Sequence, residues 1–462
     1  MGPGTIQKTI GLFEAALRGL GKDIPLIQLE TLGILVHEAM TVWARNFHTP
    51  EHIFELSDAS NPIQALAALF HDVVYYEIDQ GFTPEVESAL SPYIEDVDGG
   101  IRLSTGVPSG DLYYYLTMDV FGFRAGQSLQ PAGGQNEFLS ALLMIEKLKG
   151  IVRLRELVEI TACIEATIPF RGLTEDGRTP AEALEHQLRD VNRTYGLGMT
   201  VQDVQTSVRQ AVAFANKDVE NFSEEDTGRF LDNTWKLLPE SNPSLRLRGI
   251  YSIGSYRKAL QKMEGFLMQL DPDTIYSHYL DEPPLGEYER IRALAHRNVH
   301  TARQYLGLKL LSMGVLEGLA AISGGDAPVA LFMGALDETE EGRRLNDFLP
   351  DVSSVPSVDE LSTLFGLLAF GRASSSSFDM QNSPLSLFLF KLLGWDQARL
   401  LLIDAKELFA GDIDAREFLG RMPTGMIVSV ANACAAMAST RRASLRSFAD
   451  ARLRAGVEEQ SE

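Results

Sequence analysis

Residues 61–76 read NPIQALAALFHDVVYY, and this stretch decides the fold that we expect for the first half of the chain. It opens with Asn61 and Pro62, which favour a helix start because Asn caps free backbone N–H groups and Pro suits the first turn. An apolar helical face follows and ends at His71 and Asp72. Burying an ionised carboxylate there costs several kcal/mol unless a cation or strong hydrogen bonds compensate for it. The stretch therefore indicates either a metal-binding pair or a helix-terminal His and Asp that hydrogen-bond locally.

Helical periodicity dominates the rest of the chain. Apolar residues recur at spacings of three and four in 5–20 and 27–45, and a long helix is expected over 286–322. Strand patterns are short and isolated, so we predict an all-α protein. Residues 78–134 are irregular and rich in Gly, Pro and Asp. A segment of this length without regular structure is typical of a functional loop or an insertion.

The length of 462 residues indicates at least two domains, each large enough for its own core. A cluster of acidic and Pro residues at 281–284 is typical of a linker. We therefore predict a first domain over 1–280, with 78–134 as an insertion, and a second helical domain of unknown role over 284–462. The second domain is expected to serve protein contacts, with a partner or with another copy of the chain.

Composition excludes several classes of protein. The net charge of −22 disfavours binding to nucleic acid polymers and to anionic membranes, because the overall field repels polyanions. No window holds about 18 uninterrupted apolar residues, so we predict no membrane span. The two cysteines, Cys163 and Cys434, argue against a disulfide framework and against a cysteine-ligated metal. We expect a cytoplasmic protein.

Four side chains with metal-ligating atoms occur in helical contexts: His52, His71, Asp72 and Asp218. Two imidazoles and two carboxylates suit a divalent ion such as Mn²⁺, Fe²⁺, Co²⁺ or Mg²⁺. Adjacent residues of a helix point about 100° apart. His71 and Asp72 can therefore bind one ion only if the helix passes along the edge of the site. Asp218 must arrive by tertiary folding, because it lies far along the chain.

The order His, His-Asp, Asp resembles the HD superfamily of metal-dependent phosphohydrolases, and more narrowly the small bacterial predicted HD-domain phosphohydrolases. The resemblance spans about residues 27–280 and rests on four stretches in the same order: FHTPEHI (47–53), LAALFHDVVY (66–75), QNEFLSA (135–141) and YSIGSYRKALQKMEGFL (251–267). It implies an HD-type helical domain in the first part of the chain. It also implies that the four side chains collected above are the metal ligands.

The resemblance also implies roles for further residues. Glu137 stands where the family places an acid after its Asn, so it would orient a water molecule or act as a general base. His48 would contact phosphate or serve as an acid. The stretch TIPFRG (167–172) departs from related proteins, which often carry a His shortly after this Thr. The departure disfavours a second metal and an oxygenase-type di-iron site, and it leaves Arg171 as a candidate fork for a substrate phosphate.

These observations lead to an expected function and two alternatives. We expect a metal-dependent phosphohydrolase that acts on a small phosphorylated or nucleotide-like substrate, with Asp72 serving both the metal and the catalysis. No Walker loop, Gly-rich dinucleotide turn or nucleophile elbow is present in the sequence. The first alternative is a non-enzymatic HD-fold sensor or scaffold that makes protein contacts through its second helical domain. The second alternative is a metal-dependent oxidase, which would need a second metal with additional His ligands.

Overall fold

The computed structural model of the protein describes residues 4–58, 60–97, 100–246, 250–334, 342–374, 376 and 378–459. Within these ranges helices predominate, and the single sheet is one antiparallel hairpin. The predicted all-α class is therefore confirmed. By its internal contacts the chain forms two compact units. The first unit comprises Met1–Ser223 and Asp271–Ala295, and the second comprises Glu224–Leu270 and His296–Glu462.

The elements follow one another in chain order. Those of the first unit are α1 (Thr5–Gly19), α2 (Leu26–Met40), α3 (Pro50–Leu56), α4 (Pro62–Phe70), α5 (Tyr76–Asp79), α6 (Pro84–Leu90), β1 (Ile94–Val97), β2 (Gly100–Leu103), α7 (Leu112–Phe121), α8 (Gln135–Leu148), α9 (Leu154–Ala166), α10 (Pro180–Tyr195) and α11 (Val201–Asp218). After them come α12 (Thr227–Ser241), α13 (Ile253–Gln269), α14 (Leu285–Ser323), α15 (Val329–Met333), α16 (Thr363–Ala369), α17 (Pro384–Ala410), α18 (Ala415–Gly420), α19 (Thr424–Met437) and α20 (Arg442–Glu459).

The helix predicted from the opening stretch lies at the centre of the first unit. α4 packs against α1 and α9, with further contacts to α8 and α11. At its end the ring of Phe70 meets that of Phe13 edge-on, with centroids 5.6 Å apart. Leu66, Leu69 and Phe70 are fully buried. Burial of large apolar side chains stabilises a fold by roughly 1.5–3 kcal/mol each, so this helix anchors the residues that follow it.

Residues 78–134 contain more regular structure than the sequence analysis predicted. They hold α6, the β1–β2 hairpin and α7, and the description as an irregular loop is therefore wrong. α7 forms because Asp111 caps it, accepting a hydrogen bond from the Tyr114 N–H at 3.1 Å, and because Gly122 ends it with a φ of 68°. Its packing against α8 and α10 makes it part of the first core.

The contact-defined units do not follow the predicted boundary at 281–284. Residues 224–270, which include the stretch 251–267, group with the C-terminal half of the chain. The linker itself lies within the first unit. Since the predicted boundary concerns separate folding, it stays a prediction that a fragment experiment can test.

α14 is long and apolar enough to cross a membrane by length and composition, with a mean hydropathy of 1.5 in its most apolar window. However, 78% of that window is buried inside the protein. Such burial is typical of the core helix of a folded unit, so the helix offers only weak evidence for a membrane span. The predicted cytoplasmic location stays a prediction.

The core of the second unit contains a buried ionic cluster. Asp379 Oδ2 accepts hydrogen bonds from Trp235 Nε1 at 2.8 Å, from Lys309 Nζ at 2.6 Å and from Arg372 Nη1 at 3.1 Å. All four residues are buried. Buried charges need such partners, because a buried charge without a partner is strongly destabilising. The cluster joins Arg372 and Asp379 to α12 and α14 within this unit.

Candidate metal centre

α4 delivers His71 into the core of the first unit. The side chain of Asn61 accepts a hydrogen bond from the Gln64 N–H at 3.2 Å, which confirms the predicted cap. The second half of α4 is entirely buried, and His71 follows it at 1% exposure. His71 Nδ1 lies 3.0 Å from the carbonyl oxygen of Ala68. An Nδ1–H that donates to this carbonyl leaves Nε2 available as a ligand atom.

His52 and Asp218 reach the same place from two other helices. His52 lies in the first turn of α3, which begins at Pro50. Asp218 is the last residue of α11. Lys217 fixes this helix end by donating from Nζ to the Leu56 carbonyl oxygen at 2.9 Å. The end of α11 is thereby joined to the end of α3.

Three ligand atoms converge. His52 Nε2 lies 3.0 Å from Asp218 Oδ1 and 3.4 Å from His71 Nε2, and His71 Nε2 lies 3.5 Å from Asp218 Oδ1. All lie within 4.8 Å of one another, so this group could hold a metal ion. Asp72 borders the group, with Oδ2 3.0 Å from His71 Nε2 and 3.8 Å from His52 Nε2. The structure thus brings the four predicted ligands together, while their role as ligands stays a prediction.

In the metal-free protein, the carboxylates of Asp72 and Asp218 and the imidazole of His71 hold one another in their ionised forms. Burial would lower the pKa of His71, but the carboxylates of Asp72 and Asp218 raise it above its ordinary value. Burial would raise the pKa of Asp72, yet the imidazoles of His71, His48 and His52 lower it. In the same way, against the effect of burial, hydrogen bonds from His52 and His71 lower the pKa of Asp218 to about 2. The carboxylates are therefore ionised at neutral pH, as metal ligands must be, whereas His71 would have to release its Nε2 proton when an ion binds.

The backbone after the His-Asp pair is held by side chains of α8. Ser140 Oγ accepts from the Val74 N–H at 3.0 Å, and Asn136 Oδ1 accepts from the Tyr76 N–H at 3.1 Å. Glu77 in turn accepts from Gln135 Nε2 at 2.7 Å and from Asn136 Nδ2 at 3.3 Å. The chain between α4 and α5 is not helical, so its buried backbone groups need such partners.

Arg45 holds the same segment from the other side. Its Nη1 donates to the carbonyl oxygen of Asp72 at 2.7 Å, and its Nη2 donates to that of Val73 at 3.3 Å. Its Nε also donates to Asp79 Oδ1 at 3.0 Å. The side chain of Arg45 is 0% exposed. Sequence reasoning missed Arg45, because nothing local shows that an arginine at the end of an amphipathic segment will be buried.

Glu137 lies in the first turn of α8. Its Oε2 atom is buried and has no hydrogen-bond partner among the described residues. Burial raises its pKa to about 8, with further contributions from the negative charges of Asp72 and Asp218. The influence of these two carboxylates places Glu137 in the electrostatic environment of the candidate centre. At neutral pH the carboxyl group is mostly protonated.

The two remaining predicted site residues are Arg171 and His48. Arg171 Nη1 pairs with Glu165 Oε1, and Nη2 donates to the Glu165 carbonyl oxygen at 3.1 Å. Much of its fork is therefore engaged within the protein, and its role in binding substrate stays a prediction. The ring of His48 lies 4.7 Å from that of Tyr75 and 6.3 Å from that of His52, measured between centroids. His48 thus borders the candidate centre.

Asn136 and Ser140 also lay outside the predicted site residues. A signal for them existed, since both fall within QNEFLSA, one of the stretches that carry the family resemblance. Their contacts show what two residues of that stretch do, since Asn136 and Ser140 hold the backbone beyond Asp72. Comparisons of the chain with protein-family models, with curated proteins and with solved structures find no match.

Proposed function

We propose that this protein is a metal-dependent phosphohydrolase of the HD type, acting on a small phosphorylated or nucleotide-like substrate. The observation that carries the proposal is the convergence of His52 Nε2, His71 Nε2 and Asp218 Oδ1 within 4.8 Å. These atoms come from α3, from the residue directly after α4 and from α11, and Asp72 borders them. Two imidazoles with carboxylate oxygens suit Mn²⁺, Fe²⁺, Co²⁺ or Mg²⁺.

The residues around the group suit hydrolysis. A bound divalent ion supplies Lewis acidity, which lowers the pKa of water and offsets charge on phosphoryl oxygens. In the metal-free protein, Glu137 carries a proton at neutral pH on a carboxyl group whose Oε2 has no partner among the described residues. A carboxyl with a pKa of about 8 is suited to give or take a proton near neutrality. We assign it that role, with His48 as a second group beside the leaving or attacking oxygen.

Metal binding is the first test. The wild-type protein should bind a divalent ion, and the double variant His71→Ala with Asp72→Ala should lose it while keeping its helical circular dichroism. A matched control is His186→Ala with Asp190→Ala, an exposed pair on α10 whose Nε2 and Oδ2 atoms are 3.7 Å apart. This control should keep the wild-type metal content. An unchanged metal stoichiometry in the His71 and Asp72 variant would remove the basis of the proposal.

Activity is the second test. The wild type should hydrolyse at least one member of a broad phosphoester panel with Mn²⁺, Fe²⁺ or Mg²⁺, and Asp72→Ala should abolish that activity. Removing a general acid or base by Glu137→Gln should slow the reaction by about 10²–10⁴. If the wild type holds metal yet equals Asp72→Ala on every substrate, hydrolysis is wrong. That outcome would favour the non-enzymatic sensor or scaffold.

A further inference from the structure

We propose that Arg45 is a positioning residue of the candidate metal centre, acting on Asp72 through its main chain. The inference rests on the proposed metal site and names a residue that the family resemblance does not assign. It is based on the contacts of one buried guanidinium. Arg45 donates hydrogen bonds to the carbonyl oxygens of Asp72 and Val73, the two residues directly after the proposed ligand His71.

The need for such a residue follows from where α4 ends. Backbone carbonyl groups outside helices and sheets need other hydrogen-bond partners when they are buried. Here α4 stops at Phe70, and the next helix begins at Tyr76. The connection is buried at His71, Val73 and Val74. Its backbone therefore depends on side chains from elsewhere, and Arg45 supplies the donors for two consecutive carbonyl groups.

The guanidinium is itself held in place. Arg45 donates hydrogen bonds to Asp79 from Nε to Oδ1 at 3.0 Å and from Nη2 to Oδ2 at 2.5 Å. The two side chains therefore form a bidentate pair. This pair fixes the plane of the guanidinium, so Nη1 and Nη2 meet the carbonyl oxygens in a set geometry. A lysine has a single ammonium in place of the planar fork and cannot reproduce all of these contacts.

The consequence lies in the position of Asp72. Metal sites require ligand distances within about 0.2 Å of their preferred values. A segment with unpartnered carbonyls would let Asp72 and the neighbouring His71 shift by more than that. Groups that orient metal ligands through hydrogen bonds, without binding the ion themselves, typically contribute 10–100-fold to metal affinity. Arg45 thus acts on the affinity of the site without touching the ion.

The test separates this role from a contribution to folding alone. Arg45→Met combined with Asp79→Leu removes both charges of the pair, so no buried charge is left without a partner. A matched control is Arg257→Met with Glu317→Leu in the second unit, another bidentate pair, with Nε–Oε2 at 2.9 Å and Nη2–Oε1 at 3.1 Å. Mn²⁺ affinity of the full-length protein is measured by calorimetry, and the thermal midpoint of each metal-free variant is recorded beside it.

We expect the Arg45 and Asp79 variant to bind Mn²⁺ at least about tenfold more weakly than the wild type, while the control keeps wild-type affinity. The variant Arg45→Lys, which retains the charge opposite Asp79, should also bind Mn²⁺ more weakly than the wild type. It provides the test if the double variant does not fold. Wild-type affinity in either folded variant would overturn the positioning role. A wild type that binds no metal would instead overturn the proposed function, and this inference with it.

Discussion

Glu137 is a carboxylic acid that the fold holds in its protonated form. Burial and two nearby carboxylates raise its pKa to about 8, from an ordinary value of 4.5. At pH values between these two pKa values, Glu137 keeps its proton in the folded protein and releases it in the unfolded chain. Because the unfolded state then binds fewer protons, the contribution of Glu137 to the free energy of unfolding of the metal-free protein falls as pH rises from about 5 to 8.

The variant Glu137→Gln removes this titration and keeps the shape of the side chain. We expect it to be more stable than the wild type at pH 8.5, on the order of 2–4 kcal/mol, with a smaller difference at pH 5. Urea unfolding at both pH values in the presence of a chelator measures the difference. Parallel pH dependence of the two proteins would show that Glu137 does not hold its proton in the folded state.

Two glycines in helices of the first unit, Gly33 and Gly11, differ in how much space surrounds them. Gly33 lies in α2, and a Cβ atom there would meet Ile10 Cγ1 at 2.3 Å. Gly11 lies in α1, and a Cβ atom there would have no neighbour within 4 Å. The close approach of α1 and α2 therefore requires Gly33 but makes no demand on Gly11.

Gly33→Ala should destabilise the protein by about 1–3 kcal/mol, because overpacking forces the side chain of Ile10 to move. Gly11→Ala serves as its control and should stabilise by up to about 1 kcal/mol, because Ala has the higher helix propensity. Thermal midpoints of the two variants give the comparison. Equal effects of the two substitutions would mean that α1 and α2 are not in close contact at Gly33.

At the scale of the whole molecule, the discontinuous units bear on how the chain can be divided. The second unit contains Glu224–Leu270, which precedes the predicted boundary. Its helices α12 and α13 bury large side chains, among them Phe230, Trp235 and Leu260. A fragment of residues 1–280 would keep these helices but lose most of the unit to which they belong.

We therefore expect the fragment 1–280 to aggregate. A fragment in which a short linker joins 1–223 to 271–295 should instead be soluble and helical, because it follows the contacts of the first unit. Solubility, circular dichroism and Mn²⁺ binding of the two fragments are the measurements. A soluble, metal-binding 1–280 would support the boundary that the sequence analysis predicted.

The sequence alone determined the helical class and the central helix. Helix formation depends on hydrogen bonds between residues four apart, so periodicity, Asn61 and Pro62 were sufficient to predict α4. Local pattern failed where tertiary packing stabilises short elements, as in 78–134. The stretch that contains Glu137 was also found from the sequence, although its burial and raised pKa were not.

Only the tertiary structure decided the geometry of the candidate site. Asp218 meets His52 across 166 positions of sequence, and Arg45 reaches Asp79 across 34. No local rule fixes such distances, because they depend on how buried helix faces pack against one another. Convergence of ligand atoms, burial of Arg45 and the discontinuous units arise from that packing. Residue types along the chain therefore indicated which side chains could bind a metal, and the packing of α3, α4 and α11 brought them within reach of one ion.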